Sequence, residues 1–151
     1  MALIKMKTTN IATSLYSEMK KYSRTKSVFY QSVSPVDIKK LDTKIKKALM
    51  DNPKIAYQKD SEGVPFILTC VDCGMKESVK WILSEKSIDK TIFVDRAGEN
   101  IATYAFKAGL EDLLEYCITC APELLEQRDG NGISVQKRID IKRKEEELSR
   151  R

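Results

Sequence analysis

Asp60-Ser61-Glu62-Gly63, Asp95-Arg96-Ala97-Gly98 and Asp129-Gly130-Asn131-Gly132 are three copies of one short pattern, and they decide how this chain is read. Asp-x-x-Gly returns after 35 and then 34 residues, a period that marks a stack of repeated helical units. Each copy has the composition of a tight turn. Glycine enters backbone conformations closed to other residues, and an aspartate side chain accepts hydrogen bonds from the amides that follow it. Gly63 and Gly98 are each answered eleven residues later by a second glycine, Gly74 and Gly109. That placement suits the left-handed end of a short first helix. A second helix then repeats its acidic and apolar pattern, Glu77-Ser78-Val79-Lys80-Trp81-Ile82-Leu83 against Asp112-Leu113-Leu114-Glu115-Tyr116-Cys117-Ile118.

Upstream of the first turn, Ser34-Pro35-Val36-Asp37 reads as a helix start, with Ser34 capping, Pro35 needing no amide partner and Asp37 suiting the positive helix end. Ile38, Leu41, Ile45, Ala48 and Leu49 give that helix one apolar face, and Asn52-Pro53 closes it. Pro53 precedes Asp60 by seven residues, as Pro122 precedes Asp129, so the helix over 36–50 fills the slot of a second helix. The organisation expected is therefore a degenerate first unit at 36–59, full units at 60–94 and 95–128, and an incomplete unit at 129–140. About three stacked units suffice to bury a shared core. Ile11, Leu15, Met19 and Tyr22, spaced by 4, 4 and 3, form a helical stripe within an N-terminal extension over 1–35. This extension is expected to cap the first unit, because a stack end otherwise leaves core surface wet. Residues 23–34 carry no clear period, and 141–151 form a charged C-terminal helix or tail.

The chain has 151 residues, 42% hydrophobic and 32% charged, which suits one soluble globular domain. No apolar run approaches the roughly 18 to 20 residues that cross a bilayer. Met1 to Lys7 lacks a secretory apolar stretch, so a cytoplasmic protein with four free thiols is expected. There is no histidine, which excludes Ser-His and Cys-His nucleophile pairs and imidazole zinc sites. No paired carboxylates or Gly-rich phosphate loop stand out. The expectation is a non-enzyme without catalytic residues, cofactor or metal.

Cys70-x-x-Cys73 and Cys117-x-x-Cys120 imitate a four-thiolate zinc site, but the repeat register separates them. Cys70 matches Ala105 of a first helix, while Cys117 matches Ile82 of a second. Helix axes pack about 8 to 10 Å apart, too far for all four sulfurs to meet one ion. Cys70 and Cys117 read as small buried hydrophobes, and Cys73 is expected to be reachable by solvent. Trp81 aligns with Tyr116 and is expected to pack between units. Charge is uneven: residues 1–54 hold 12 Lys/Arg against 4 Asp/Glu, and residues 55–136 hold 8 against 14. The basic N-terminal region could contact an anionic membrane surface or nucleic acid peripherally. Lys39, Lys40, Lys44, Lys46 and Lys47 read first as the solvated face of an amphipathic helix, since charged outer faces are what such helices normally carry.

Taken together, the turn, the glycines and the second-helix pattern resemble the ankyrin repeat family over residues 36–140. The resemblance implies an all-α fold, a short helix-turn-helix solenoid with an N-terminal helical cap and a C-terminal capping helix. The chain departs from the family's Thr-Pro-Leu-His signature, carrying Pro65-Phe66-Ile67-Leu68 and Asn100-Ile101-Ala102-Thr103 instead. Without that Thr and His, looser joining of neighbouring turns is expected. The family binds through its turn tips, called fingers, and through the concave face of its first helices. Carried over residue by residue, the resemblance implies that a protein or peptide partner meets Ser61, Glu62, Val64, Asp72, Cys73, Arg96, Ala97, Glu99, Lys107, Ala108, Gly130 and Asn131. Glu145-Glu146-Glu147 is similar to the glutamate-rich export tails of bacterial type IV secreted effectors, many of which are ankyrin proteins. That likeness implies delivery to a host cytosol, and a solvated helix end explains the same residues.

Overall fold

The computed structural model describes residues 2–23 and 35–150, and the regular structure in them is all-α. The helices are α1 (Ala2–Met19), α2 (Pro35–Asp51), α3 (Phe66–Asp72), α4 (Lys76–Ser84), α5 (Ile101–Lys107), α6 (Glu111–Cys120), α7 (Glu123–Glu126) and α8 (Val135–Ser149). Short 3-10 turns occupy Lys20–Tyr22, Pro53–Tyr57 and Lys90–Ile92. No described helix is long and apolar enough to cross a membrane. The capping role read for Ser34, and the basic residues Arg24 and Lys26, lie outside the described residues.

The three Asp-x-x-Gly turns are built alike, bond for bond. Asp60 Oδ1 accepts from the amides of Glu62 and Val64 at 2.8 and 3.0 Å. Asp95 Oδ1 accepts from Ala97 and Glu99, both at 3.0 Å, and Asp129 Oδ1 from Asn131 and Ile133 at 2.9 and 3.0 Å. In each copy the glycine amide also donates to the aspartate carbonyl. Gly63, Gly98 and Gly132 hold φ between 75° and 79°, as the turn reading requires, and Gly74 and Gly109 end α3 and α5 at 78° and 70°.

Helix packing divides the chain into two layers. In one, α1 lies on α3, α3 on α5, and α5 on α8; in the other, α2 lies on α4 and α4 on α6. The core between them is apolar: Phe66, Ile67, Leu68, Val79, Ile82, Ile101 and Leu113 are fully covered. The α1 helix starts at Ala2, earlier than its apolar stripe, and continues its own layer rather than only covering an end. Leu15, Met19 and Tyr22 of the stripe are buried, Ala12 joins them, and Asn52 Nδ2 donates to the buried Thr8 hydroxyl at 2.9 Å.

One buried carboxylate joins α2 to α4. Asp42 accepts from the amides of Glu77 and Ser78 at 2.8 and 2.9 Å and from the Ser78 hydroxyl at 2.6 Å. Met75, at the cap position of α4, has no side-chain acceptor, so Asp42 satisfies from a neighbouring helix the amides that a local cap would otherwise serve.

Hydrogen bonds from Asn100, Gln127 and Gly130 tie the second and third turns to each other and to α7. Asn100 forms a capping box with Thr103 at the start of α5. Its Nδ2 donates to the Leu124 carbonyl and to Gln127 Oε1, both at 2.9 Å, while Gln127 Nε2 donates to the Thr91 carbonyl at 2.8 Å. The Gly130 amide donates to the Ala97 carbonyl at 2.7 Å, joining the third turn to the second.

The layer of α1, α3 and α5 changes character at α8. Counting from the turn aspartate, Gln136, Lys137 and Asp140 stand where α3 has Ile67, Leu68 and Val71. The α3 residues are wholly buried and their α8 counterparts are exposed. At these positions α8 presents polar rather than apolar side chains to water.

Candidate functional site

A groove of about 1030 Å³ runs between α1, the first turn and the exposed edge of α3 and α5. Its α1 wall is a row of hydroxyls, Thr9, Thr13 and Ser17, spaced by four residues so that they share one helix face. The opposite side is formed by Gln58 to Glu62 and Val64 of the first turn, together with Thr69 and Asp72 from α3. Glu99, Tyr104, Lys107 and Ala108 close the far end.

Tyr16 fixes the corner where α1 meets the turn. Its hydroxyl reaches two carbonyls of the turn, Gln58 at 3.0 Å and Val64 at 3.2 Å, and its ring meets Phe66 edge-on at 5.0 Å. Burial, reinforced by the Asp60 carboxylate, pushes the phenol well above its ordinary value and keeps it a donor. In the following unit Tyr104 holds its own turn, donating to Asp95 Oδ2 at 2.9 Å. Burial and that hydrogen bond likewise raise its pKa. Arg138 donates to Asp129 Oδ2 at 2.9 Å from the same position of the third unit. Tyr104 and Arg138 each stand nine residues after their aspartate and pin the turn to the following helix.

The groove carries both signs of charge. Lys20, Lys59 and Lys107 face Asp60, Glu62, Asp72 and Glu99. Lys107 is paired with Glu99, and Asp72 accepts from the Ser23 hydroxyl at 2.6 Å. Such a lining favours a partner that presents hydrogen-bonding groups and charges of both signs, rather than a simple polyanion.

Eight of the twelve residues implied by the family resemblance line this groove: Ser61, Glu62, Val64, Asp72, Cys73, Glu99, Lys107 and Ala108. One of them is corrected. Cys73 is wholly buried rather than open to solvent, because Met19 of α1 lies over it and the Met19 carbonyl accepts from its thiol at 3.4 Å. The other four lie outside the groove. Arg96 lies across the first turn with its guanidinium 3.5 Å from the Ser61 carbonyl, and Ala97 and Gly130 are joined backbone to backbone. Asn131 is an exposed turn residue. The whole α1 wall was missed by sequence reasoning; the signal for it was the hydroxyl row beside the apolar stripe.

Cys70 lies on α3 and Cys73 at its end, whereas Cys117 and Cys120 lie on α6. Cys70 and Cys73 lie under α1, where Cys70 Sγ is 3.9 Å from the Met19 sulfur. Cys117 is buried on α6, its thiol pushed up to about 12 by burial. No group of three or more potential metal-ligating side chains forms among the described residues. Comparison of the chain with protein-family models, with curated proteins and with solved structures gives no match.

Proposed function

We propose that this chain is a divergent ankyrin-type repeat protein that binds a protein or peptide segment in the groove between α1, the first turn and α3, without catalysing a reaction. One observation carries the reading: residues drawn from two successive turn-and-helix units, together with α1, converge on a single groove of about 1030 Å³. Concave sites of this size hold a short length of another molecule. Supporting it are the bond-for-bond recurrence of the turn and the layered packing of the helices, which in repeat proteins generate a continuous binding face.

Peptide selection from a displayed random library tests the proposal, with the wild-type chain and a Thr13→Trp variant compared. Thr13 is exposed on α1, so the indole fills the groove without entering the core. Selected peptides are expected to bind wild type and to lose at least about tenfold in affinity against the variant. Equal binding to both proteins would place recognition elsewhere.

A second reading has its own observation. Lys39, Lys40 and Lys47 are exposed on α2, and they offer contact to an anionic membrane surface or nucleic acid. Affinity that falls steeply with salt and disappears on reversing these lysines would favour it over the groove.

A further inference from the structure

The helices of the second layer, α2, α4 and α6, each carry two apolar residues four apart at one register. The pairs are Ile45 and Leu49, Val79 and Leu83, and Leu114 and Ile118. Gly74 and Gly109 stand at equal distances before the second and third pairs, and Pro53 and Pro122 at equal distances after the first and third. Ile45, Leu49, Val79 and Leu83 are at most 1% exposed. Leu114 is only partly buried, and Ile118 is 41% exposed.

A single exposed isoleucine is ordinary. Here one position is covered twice and open once, and the packing supplies the reason. Helix α4 packs on α2 and α6 on α4, whereas no helix of the described residues follows α6 in this layer. The two earlier instances say what fits the open flank: another helix laid along it.

The rim of the flank is acidic. Glu111 precedes Leu114 by three residues and Glu115 precedes Ile118 by three, so each lies beside its apolar neighbour on the helix surface. Both are exposed, as are Asp112, Glu123 and Glu126, and none of the five is ion-paired among the described residues. No Lys or Arg occurs between Lys107 and Arg128. Glu111 and Asp112 also suit the positive start of α6, but Glu115 lies beyond its first turn. Glu111 further holds the register of Asp42, whose carboxylate serves the first amides of the helix packed on α2. On α8, Gln136, Lys137 and Asp140 stand where α3, partnered by α4, has apolar residues, so the occupant needs only a narrow apolar edge.

We infer that the open flank of α6 is a docking surface for a basic amphipathic helix of another protein. That helix lays its apolar edge on Leu114 and Ile118 and sets lysine or arginine side chains against Glu111 and Glu115. Charge of one sign on the rim selects the partner, and the apolar pair supplies the buried contact. No residue of α6 lines the groove described above, so this surface is independent of groove binding.

Two labelled amphipathic helical peptides test this by fluorescence anisotropy with the full chain. They share a leucine edge, flanked by lysines in one and by glutamates in the other. Wild type is expected to bind the lysine peptide at least about tenfold more tightly than the glutamate peptide. Ile118→Gln removes the apolar contact without changing charge, and should weaken lysine-peptide binding by about tenfold. The double reversal E111K/E115K should exchange the two preferences, which also shows that this variant remains folded. Thr13→Trp, in the groove, should leave lysine-peptide binding unchanged. Equal affinity of wild type for both peptides overturns the proposal. So does an Ile118→Gln chain that binds as wild type does, or lysine-peptide binding that is lost in Thr13→Trp. Sedimentation in which wild type dimerises and Ile118→Gln does not would give the flank to a second copy of this chain, and overturns it as well.

Discussion

At Gly98 a methyl group would lie 2.8 Å from the amide nitrogen of Gly130 and 3.2 Å from the backbone of Asp129. The same change at Gly74 would meet nothing within 4 Å, although both residues hold φ near +78°. Two costs are thereby separated. Gly74→Ala carries only the left-handed backbone penalty, about 1–2 kcal/mol. Gly98→Ala adds a collision with main chain of the next turn, which cannot swing aside as a side chain does. Urea unfolding should therefore show Gly98→Ala as the more destabilised of the two; equal midpoints would mean that the second and third turns do not press together as described. These positions were readable in advance because a positive φ demands one residue type, whatever its neighbours. Cys73 was not, because its exposure depends on Met19, 54 positions earlier in the chain.

At the scale of elements, α8 is held to the third turn by Arg138 and Asp129. The Asp129 carboxyl is kept below its ordinary value of 3.8, first by the Ile133 amide and then by Arg138. A depressed pKa in the folded state means that the ionised form favours folding. Its contribution is complete above the ordinary carboxyl range and is lost as pH falls through the lower folded value. Asp129→Asn should then melt below wild type at neutral pH, with the gap closing in acid below about pH 4. A gap that is constant with pH would show that the charge contributes nothing. Helices α2 to α6 were legible because each carries its own apolar period and its own stop. The place of α1 beside α3 was not, since no Asp-x-x-Gly turn precedes α1 to announce a unit. Asp42 was equally hidden: on α2 it looks like one more surface charge, and the amides it serves lie 35 and 36 residues away. The polar substitutions in α8 were visible letter by letter, but their meaning needed the packing of α3 for comparison.

Across the whole molecule, the two helical layers enclose thiols at separate depths and under separate covers. Cys70 and Cys73 are sealed by Met19 of α1, Cys117 is enclosed on α6, and Cys120 is only partly covered. Burial raises the Cys70 and Cys117 thiols far above the range in which a thiolate attacks reagents at neutral pH. Alkylation followed by peptide mass spectrometry should therefore modify Cys120 first and the others only when their cover lifts. Met19→Ala is expected to hasten labelling of Cys70 and Cys73 and to leave Cys117 unchanged; uniform acceleration would mean that the chain opens as one body. The sulfur atoms that first suggested a metal site thus serve as built-in gauges of breathing, reporting how often the amino-terminal helix peels away while the remainder stays shut.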